Sequence, residues 1–147
     1  MASIPFDPDE IIDAIEESVV EELINFGEIA AQALVFATPV GMPELWQNPP
    51  PADYSPGHAR FNWRAQINSA ILEERPGMDP GGGATVSEMR QVVRSVTNIN
   101  QEIHFSLTIP YGFRLDNGWS TQRPRGFTEQ ALNAARAATA TQGARAI

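Results

Sequence analysis

A single long amphipathic helix is the feature of this sequence that most constrains its fold. Asp7 can cap it, Pro8 suits the first helical position, and Glu10 is placed as in a capping box. Apolar residues then recur at steps of three and four to about Phe36, and Thr38-Pro39 ends the pattern. This apolar face comprises Ile12, Ile15, Val19, Leu23, Phe26, Ala30 and Ala33. At ~1.5 Å per residue the helix is about 40 Å long, which is long for a domain of 147 residues. Gly27 is its one weak position.

Charge is distributed unevenly between this helix and the rest of the chain. Residues 1–59 carry eleven Asp or Glu and no Lys or Arg, whereas residues 60–147 carry seven acids and all ten Arg, so −11 and +3 give the net −8. A half this acidic repels nucleic-acid phosphate. The acids form a stripe that does not converge on a pocket, which is typical of a solvated or interface face. Glu16, Glu17, Glu21 and Glu22 are therefore candidate interface residues.

Length and composition predict one domain, because 147 residues with 42% apolar content suit a single core. No apolar run approaches the roughly 20 residues that span a bilayer, so we expect no membrane association. The acidic start MASIPFDPDE does not resemble a signal peptide. The absence of cysteine excludes disulfides and thiol chemistry, and fits a protein made in a reducing cytoplasm.

Residues 39–57 contain six prolines and predict an extended loop that projects as an arm. A long ordered loop in a compact domain is usually functional. Aromatic anchors are favoured both in cores and at interfaces. Trp46 and Tyr54 could therefore pack on the parent domain or on a neighbouring subunit, and we treat them as interface candidates.

The sequence after the Pro-rich arm predicts a small sheet with helices. Residues 59–71 and 101–109 alternate apolar and polar side chains, as half-buried strands do. A flexible connection over 72–84 separates the first strand from a short helix with a capping box at Thr85 and Glu88. An Ala-rich helix starts near Phe127 or Thr128.

The predicted fold class is therefore α+β: a small antiparallel sheet packed by a long N-terminal helix and a C-terminal helix, with a Pro-rich projecting loop. Within one domain over 1–147, we assign 1–38 to the long acidic helix, 39–57 to the Pro-rich arm, 58–127 to the sheet with one helix, and 128–147 to the C-terminal helix and tail.

No constellation of residues predicts chemistry. His58 lies in a Pro-Gly-His turn and His104 on the polar face of a strand, and neither has partners at the spacing of a zinc site. There is no nucleophile elbow, and Gly81-Gly82-Gly83 lacks the Lys of a phosphate loop. We expect no catalytic residue, no metal and no cofactor.

The string IPYGFRLDNGWSTQRPRGF, residues 109–127, combines two turn signals with a Gln-x-Pro-x-Gly run that leads into the last helix. No enzymatic reaction requires such a string. Its turn signals predict a segment whose backbone is held in fixed positions. Its fold-defining residues are Tyr111, Gly118, Trp119, Pro124 and Gly126. We expect Tyr111 and Trp119 to pack against the sheet and Gly118 to adopt a positive φ.

Two segments resemble the neck, or head–tail joining, proteins of long-tailed bacteriophages. Thr38-Pro39-Val40 followed by GHARFNW at 57–63 is similar to the family's Thr-Pro-Val-Asp-Thr-Gly-Arg-x-Arg-x-x-Trp. Residues 109–127 are similar to its Leu-Pro-Tyr-Ala-x-x-Leu-Glu-x-Gly followed by Ser-x-Gln-Ala-Pro-x-Gly-Phe. The element order and long first helix also match. The chain departs from the family at Gly41 to Pro56, where a Pro-rich insertion replaces the tight Asp-Thr-Gly turn.

The resemblance implies a virion structural protein without enzymatic activity, made in the host cytoplasm. It would form a homo-oligomeric ring, of six subunits or alternatively twelve, through which genome DNA passes without sequence-specific binding. An adaptor or head-closure protein would lie on the head side, and a tail terminator or tail tube protein on the tail side. Two alternatives stay open: a tail terminator that caps the tail tube, and an acidic binding module that mimics DNA.

Overall fold

A long helix, a short two-stranded sheet and a C-terminal helix make up most of the computed structural model, which describes residues 7–40, 52, 55–117 and 126–146. The elements in chain order are α1 (Pro8–Ala37), α2 (His58–Phe61), β1 (Trp63–Ile67), α3 (Gly83–Arg94), β2 (Ile103–Leu107), α4 (Gly112–Asp116) and α5 (Phe127–Ala146). Helix α1 packs against α3 and α5, and α3 also packs against β1. The predicted α+β class is confirmed.

Helix α1 begins and ends where the sequence indicates. The Asp7 side chain accepts a hydrogen bond from the Asp9 backbone N–H at 3.0 Å, and Pro8 occupies the first turn. At the other end Thr38 leaves the helical conformation, and its hydroxyl donates to the Leu34 carbonyl at 2.8 Å. The helix has 30 residues, which corresponds to about 45 Å.

Only the second half of α1 belongs to the core, which corrects the apolar face predicted for the whole helix. The buried residues of α1 are Gly27, Ala30, Ala31, Leu34 and Val35. Ile12, Ile15 and Val19 are instead exposed. Helices α3 and α5, which pack on α1, have 12 and 20 residues against its 30, so neither can cover its whole length.

The sheet is antiparallel as predicted, with Trp63 opposite Leu107 and Ile67 opposite Ile103. Strand β1 is shorter than the predicted 59–71, because residues 58–61 form the single turn α2. Gly57 precedes that turn with a φ of +84°. Asn62 ends it by donating through Nδ2 to the His58 carbonyl at 3.0 Å. Such a local side-chain bond competes with strand pairing.

The core consists of two adjoining clusters. The first joins Leu34 and Val35 of α1 to Trp63 of β1, Met89 of α3 and Ala131 of α5. The second lies at the start of the C-terminal helix and comprises Ala59, Ile109, Tyr111, Leu115 and Phe127, with Leu107 of β2 packed against it. The strand residue Leu107 therefore links the sheet to the segment after it.

Helix α3 begins two residues before the predicted cap. Gly82 is the N-cap with a φ of +76°, and Gly83 is the first helical residue. The predicted capping box of Thr85 and Glu88 is wrong, because the Asp79 carboxylate accepts from the Gly82 N–H at 3.1 Å and from the Thr85 N–H at 2.9 Å. Glu88 instead accepts from the Arg75 guanidinium at 2.9 and 3.0 Å.

These bonds also determine the titration of Asp79. Partial burial raises the pKa of this carboxyl, but hydrogen bonds from Thr85, Gly82 and Ala84 favour the ionised form and outweigh it, so the pKa lies below its ordinary value. The connection 72–84, predicted to be flexible, is thus attached to the body through Asp79 and Arg75.

Candidate interaction surface

The structure describes some of the predicted site residues and not others. Glu16, Glu17, Glu21 and Glu22 are all exposed on α1. Tyr111 and Gly126 are described below. The arm candidates Trp46 and Tyr54, and the motif residues Gly118, Trp119 and Pro124, lie outside the described residues.

Tyr111 and Gly126 lie where the chain passes from the sheet to α5. Tyr111 is buried in the second core cluster. Gly126 has a φ of +77°, which a residue with a Cβ rarely adopts, and its N–H donates to the Asp116 carbonyl at 2.6 Å. The Asp116 carboxylate accepts from the Thr128 N–H at 3.1 Å and from its hydroxyl at 2.8 Å. This acid therefore caps the start of α5 from twelve residues upstream.

Residues 38–40 and 57–63, the first of the two segments singled out in the sequence, form a joint between α1 and β1. The Trp63 indole N–H donates to the Thr38 hydroxyl at 2.6 Å. The Arg60 guanidinium donates to the carbonyls of Thr38 at 2.9 Å and Phe36 at 3.3 Å. Since the last carbonyls of a helix lack intrahelical partners and attract cations, Arg60 completes the C-terminus of α1.

A buried polar network beneath this joint has no signal in the sequence pattern. Asn62 is fully buried, and its Oδ1 accepts from the Arg75 N–H at 2.8 Å and the Thr108 hydroxyl at 3.0 Å. The Arg75 guanidinium donates to the Phe61 carbonyl and lies 3.9 Å from the centroid of the Phe61 ring. The partners are 13 and 46 residues from Asn62, so no local pattern marks them.

The cleft at His58 combines a serine, a histidine and a carboxylate without forming a catalytic triad. Ser55, His58 and Glu74 line it together. The His58 Nδ1 lies 2.6 Å from the Gly77 carbonyl and the Nε2 lies 2.7 Å from Glu74. Both ring nitrogens therefore lie within hydrogen-bond distance of an oxygen acceptor. These short contacts of the ring go to Gly77 and Glu74, whereas a catalytic base contacts the hydroxyl that it activates. Among the residues described, no group of three His, Asp or Glu is arranged to hold a metal ion.

The first part of α1 is an unusual surface among the residues that the structure describes. Every residue from Pro8 to Val19 is exposed, and we name this range the exposed segment. One side of it carries an aliphatic stripe of Ile11, Ile12, Ile15 and Val19, each between 44% and 58% exposed. Single exposed aliphatic residues are ordinary, whereas a contiguous apolar patch on a helix marks an interaction site.

The acids occupy a different side of the same helix. The expectation that these acids do not converge on a pocket is wrong, because Asp13, Glu16, Glu17 and Glu21 line one cleft of about 460 Å³. Its other wall is the turn Val96 to Ile99 after α3. Within the part of the chain that the structure describes, no Arg lines this cleft, and the acids therefore repel one another without a compensating cation. The exposed segment thus presents negative charge and aliphatic surface side by side.

A groove beside the second half of α1 carries Arg side chains, whose charge is opposite to that of the acids on the first half. Two shallow depressions of about 360 Å³ each share Gln32 and Phe36. Ile29, Ala33 and Ala138 line the apolar one, between α1 and α5. Arg90 and Arg94 of α3 line the other. We name these two depressions together the Arg-rimmed groove. The Arg94 side chain is 61% exposed although its Nε pairs with Glu28.

None of the described helices is both long and apolar enough to cross a membrane. No protein-family model matches the chain, and neither a curated protein nor a solved structure matches it.

Proposed function

We propose that this chain is a structural subunit of a homo-oligomeric ring in the neck of a tailed bacteriophage, between the portal and the tail. The proposal rests on the resemblance of two sequence segments to that family. One structural observation supports it above others: the segments contain residues that join the elements of the fold. Thr38, Arg60 and Trp63 connect α1 to β1, and Asp116 with Gly126 connects α4 to α5.

A role without enzymatic chemistry fits the polar groups described. Asn62 and Arg75 are engaged with backbone groups inside the fold, and His58 lies between two acceptors. His58 and Arg75 line a cleft that also contains Ser55, but the His58 ring contacts Gly77 and Glu74, which is not the placement of a base that activates a nucleophile. The large exposed apolar and acidic surface is what an assembly subunit needs and an isolated enzyme does not.

The acidic DNA-mimic alternative receives less support from the same surface. Carboxylates along α1 could imitate phosphates, and this reading predicts a monomer with a continuous negative patch. The aliphatic stripe, however, runs beside the carboxylates from Ile11 to Val19. Burial of apolar side chains drives association of proteins, and four of them exposed together favour a protein partner.

The test is a nonsense mutation in the gene for this chain, in the phage genome that carries it. Electron microscopy of the lysate should show DNA-filled heads and separate tails, with virions restored when the chain is supplied from a plasmid. Gold-labelled antibody should mark the head–tail junction of wild-type virions. Tails of uncontrolled length would instead identify a tail terminator. Normal virions in the mutant lysate would reject both structural roles.

A further inference from the structure

The exposed segment and the Arg-rimmed groove are complementary surfaces on one chain. We propose that the exposed segment of α1 in one copy docks, head to tail, into the Arg-rimmed groove of a second copy. This inference deepens the proposed ring and rests on it, because it identifies the contact through which subunits would join. It commits to a second copy of this chain as the occupant.

Charge is the first argument. The exposed segment contains Asp9, Glu10, Asp13, Glu16 and Glu17; Glu21 and Glu22 follow shortly after it, and residues 8–22 contain no Lys or Arg. The groove presents Arg90 and Arg94 on adjacent turns of α3, and Glu28 is the acid that pairs with Arg94. Opposite charges brought together across an interface steer association and fix its register.

Apolar surface is the second argument. Steps of three and four carry the stripe from Ile15 and Val19 through Phe26 to Ile29 and Ala33. In the second half of α1 the same side of the helix meets α5, where Ile29, Ala33 and Ala138 line the groove. An amphipathic helix laid into such a groove buries both apolar surfaces at once.

The geometry requires that the contact be between copies. The groove lies beside residues 29–36 of the same continuous helix that carries the exposed segment. A straight helix of about 45 Å cannot bring its first half against its second. The two surfaces are different, so the contact is heterologous, and repeated head-to-tail contacts of this kind close into rings when the rotation permits.

Replacing the stripe tests the apolar contact. The double variant Ile15→Gln/Val19→Gln should weaken self-association by at least about tenfold, measured by sedimentation velocity and native mass spectrometry. Leu72→Gln is the matched control, since Leu72 is 82% exposed on a different surface. That control should assemble as the wild type does. Because Ile15 and Val19 are exposed and lie outside the core, circular dichroism should show that both variants keep their fold.

Charge reversal tests the pairing of the two surfaces directly. Glu16→Arg/Glu17→Arg and Arg90→Glu/Arg94→Glu should each be monomeric alone, since like charges then face each other. Mixed in equal amounts, they should assemble, because each variant's segment matches the other's groove. Glu73→Arg/Glu129→Arg, two exposed acids elsewhere, is the control. If Arg90→Glu impairs folding, the single Arg94→Glu variant replaces it.

The outcomes separate this inference from the proposed function. Wild-type chain that stays monomeric at about 100 μM, where a micromolar interface is saturated, overturns the inference. So does a ring that both sets of variants leave unchanged, which would place the contact elsewhere, for example on the arm. In either case the virion experiment still decides the function. Loss of assembly in each variant with recovery in the mixture supports the inference.

Discussion

Gly27 provides the sharpest test of how α1 packs on the body. A glycine inside a helix costs about 0.5–1 kcal/mol relative to alanine, so sequence reasoning alone predicts that Gly27→Ala stabilises the chain. The structure predicts the opposite. A Cβ at Gly27 would lie 2.7 Å from Val93 Cγ1 and 3.1 Å from Ile103 Cδ1.

The balance of the two effects gives the magnitude. Val93 is fully buried and β-branched, so its methyl groups cannot rotate away cheaply. Overpacking a core in this manner costs about 1–3 kcal/mol. Subtracting the helix-propensity gain leaves a net loss of about 1 kcal/mol. With a urea m-value of about 1–3 kcal/mol/M, the midpoint of unfolding should fall by roughly 0.3–1 M.

The assay is urea unfolding followed by circular dichroism at fixed protein concentration, since assembly would shift the midpoint. Gly83→Ala is the control: Gly83 also lies in a helix, and a Cβ added there would meet nothing within 4 Å. It should be neutral or slightly stabilising. Val93→Ala alone should lose roughly 1–3 kcal/mol.

The double variant Gly27→Ala/Val93→Ala then distinguishes a clash from a general loss. The methyl group that Gly27→Ala introduces would occupy space that Val93→Ala vacates. The double variant should therefore be about 1 kcal/mol more stable than the sum of the two single losses of unfolding free energy predicts. Additive losses would refute the close approach of α1 and α3. A Gly27→Ala variant more stable than the wild type would refute it as well.

Three further predictions concern the cap of α3, the α1–β1 joint and the exposed segment. Asp79→Asn should destabilise the chain by about 1 kcal/mol at neutral pH. Because the folded pKa of Asp79 is lowered, this loss of stability should persist above about pH 4 and shrink as the pH falls through the folded pKa. Urea unfolding at several pH values measures it. Trp63→Phe, which removes the hydrogen bond to Thr38, should cost about 1–2 kcal/mol in the same assay, and no loss would show that the bond is dispensable. Hydrogen exchange of Pro8–Val19 in a monomeric variant should be fast relative to residues 27–35, and equal protection would contradict the exposure of this segment.

Sequence patterns predict what depends on near neighbours. The Asp7 cap, the end of α1 at Thr38 and the antiparallel strands around Trp63 and Phe105 all follow from residues a few positions apart. The apolar periodicity of α1 also correctly indicates a helix. What it cannot reveal is which part of the helix the body covers, because that depends on the lengths of α3 and α5.

The predictions that the structure corrects fail mainly where the structure depends on residues that are distant along the chain. Helix α2 replaces the start of a predicted strand. Asn62 ends this helix with a local bond to the His58 carbonyl, and its side chain also bonds to Arg75 and Thr108, which are distant along the chain. Helix α3 starts early because Asp79, four residues ahead of Gly83, supplies the cap that the sequence assigns to Thr85. Helix propensity makes Gly27 a weak position, whereas its small size permits the approach of Val93. The cases of Asn62 and Gly27 depend on tertiary contacts that no periodicity records, whereas the Asp79 cap is a local contact that lies outside the capping-box spacing.

The composition of the exposed segment is hard to explain by helix formation alone. An isolated helix of about 12 residues is marginal in water. Acids four apart, as at Asp9, Asp13 and Glu17, destabilise it further by about 0.2–0.5 kcal/mol per pair. The exposed β-branched residues Ile11 and Ile15 have lower helix propensity than alanine or leucine. Each of these choices weakens the monomer, and each is accounted for if Arg side chains and apolar surface of a neighbouring copy cover the segment.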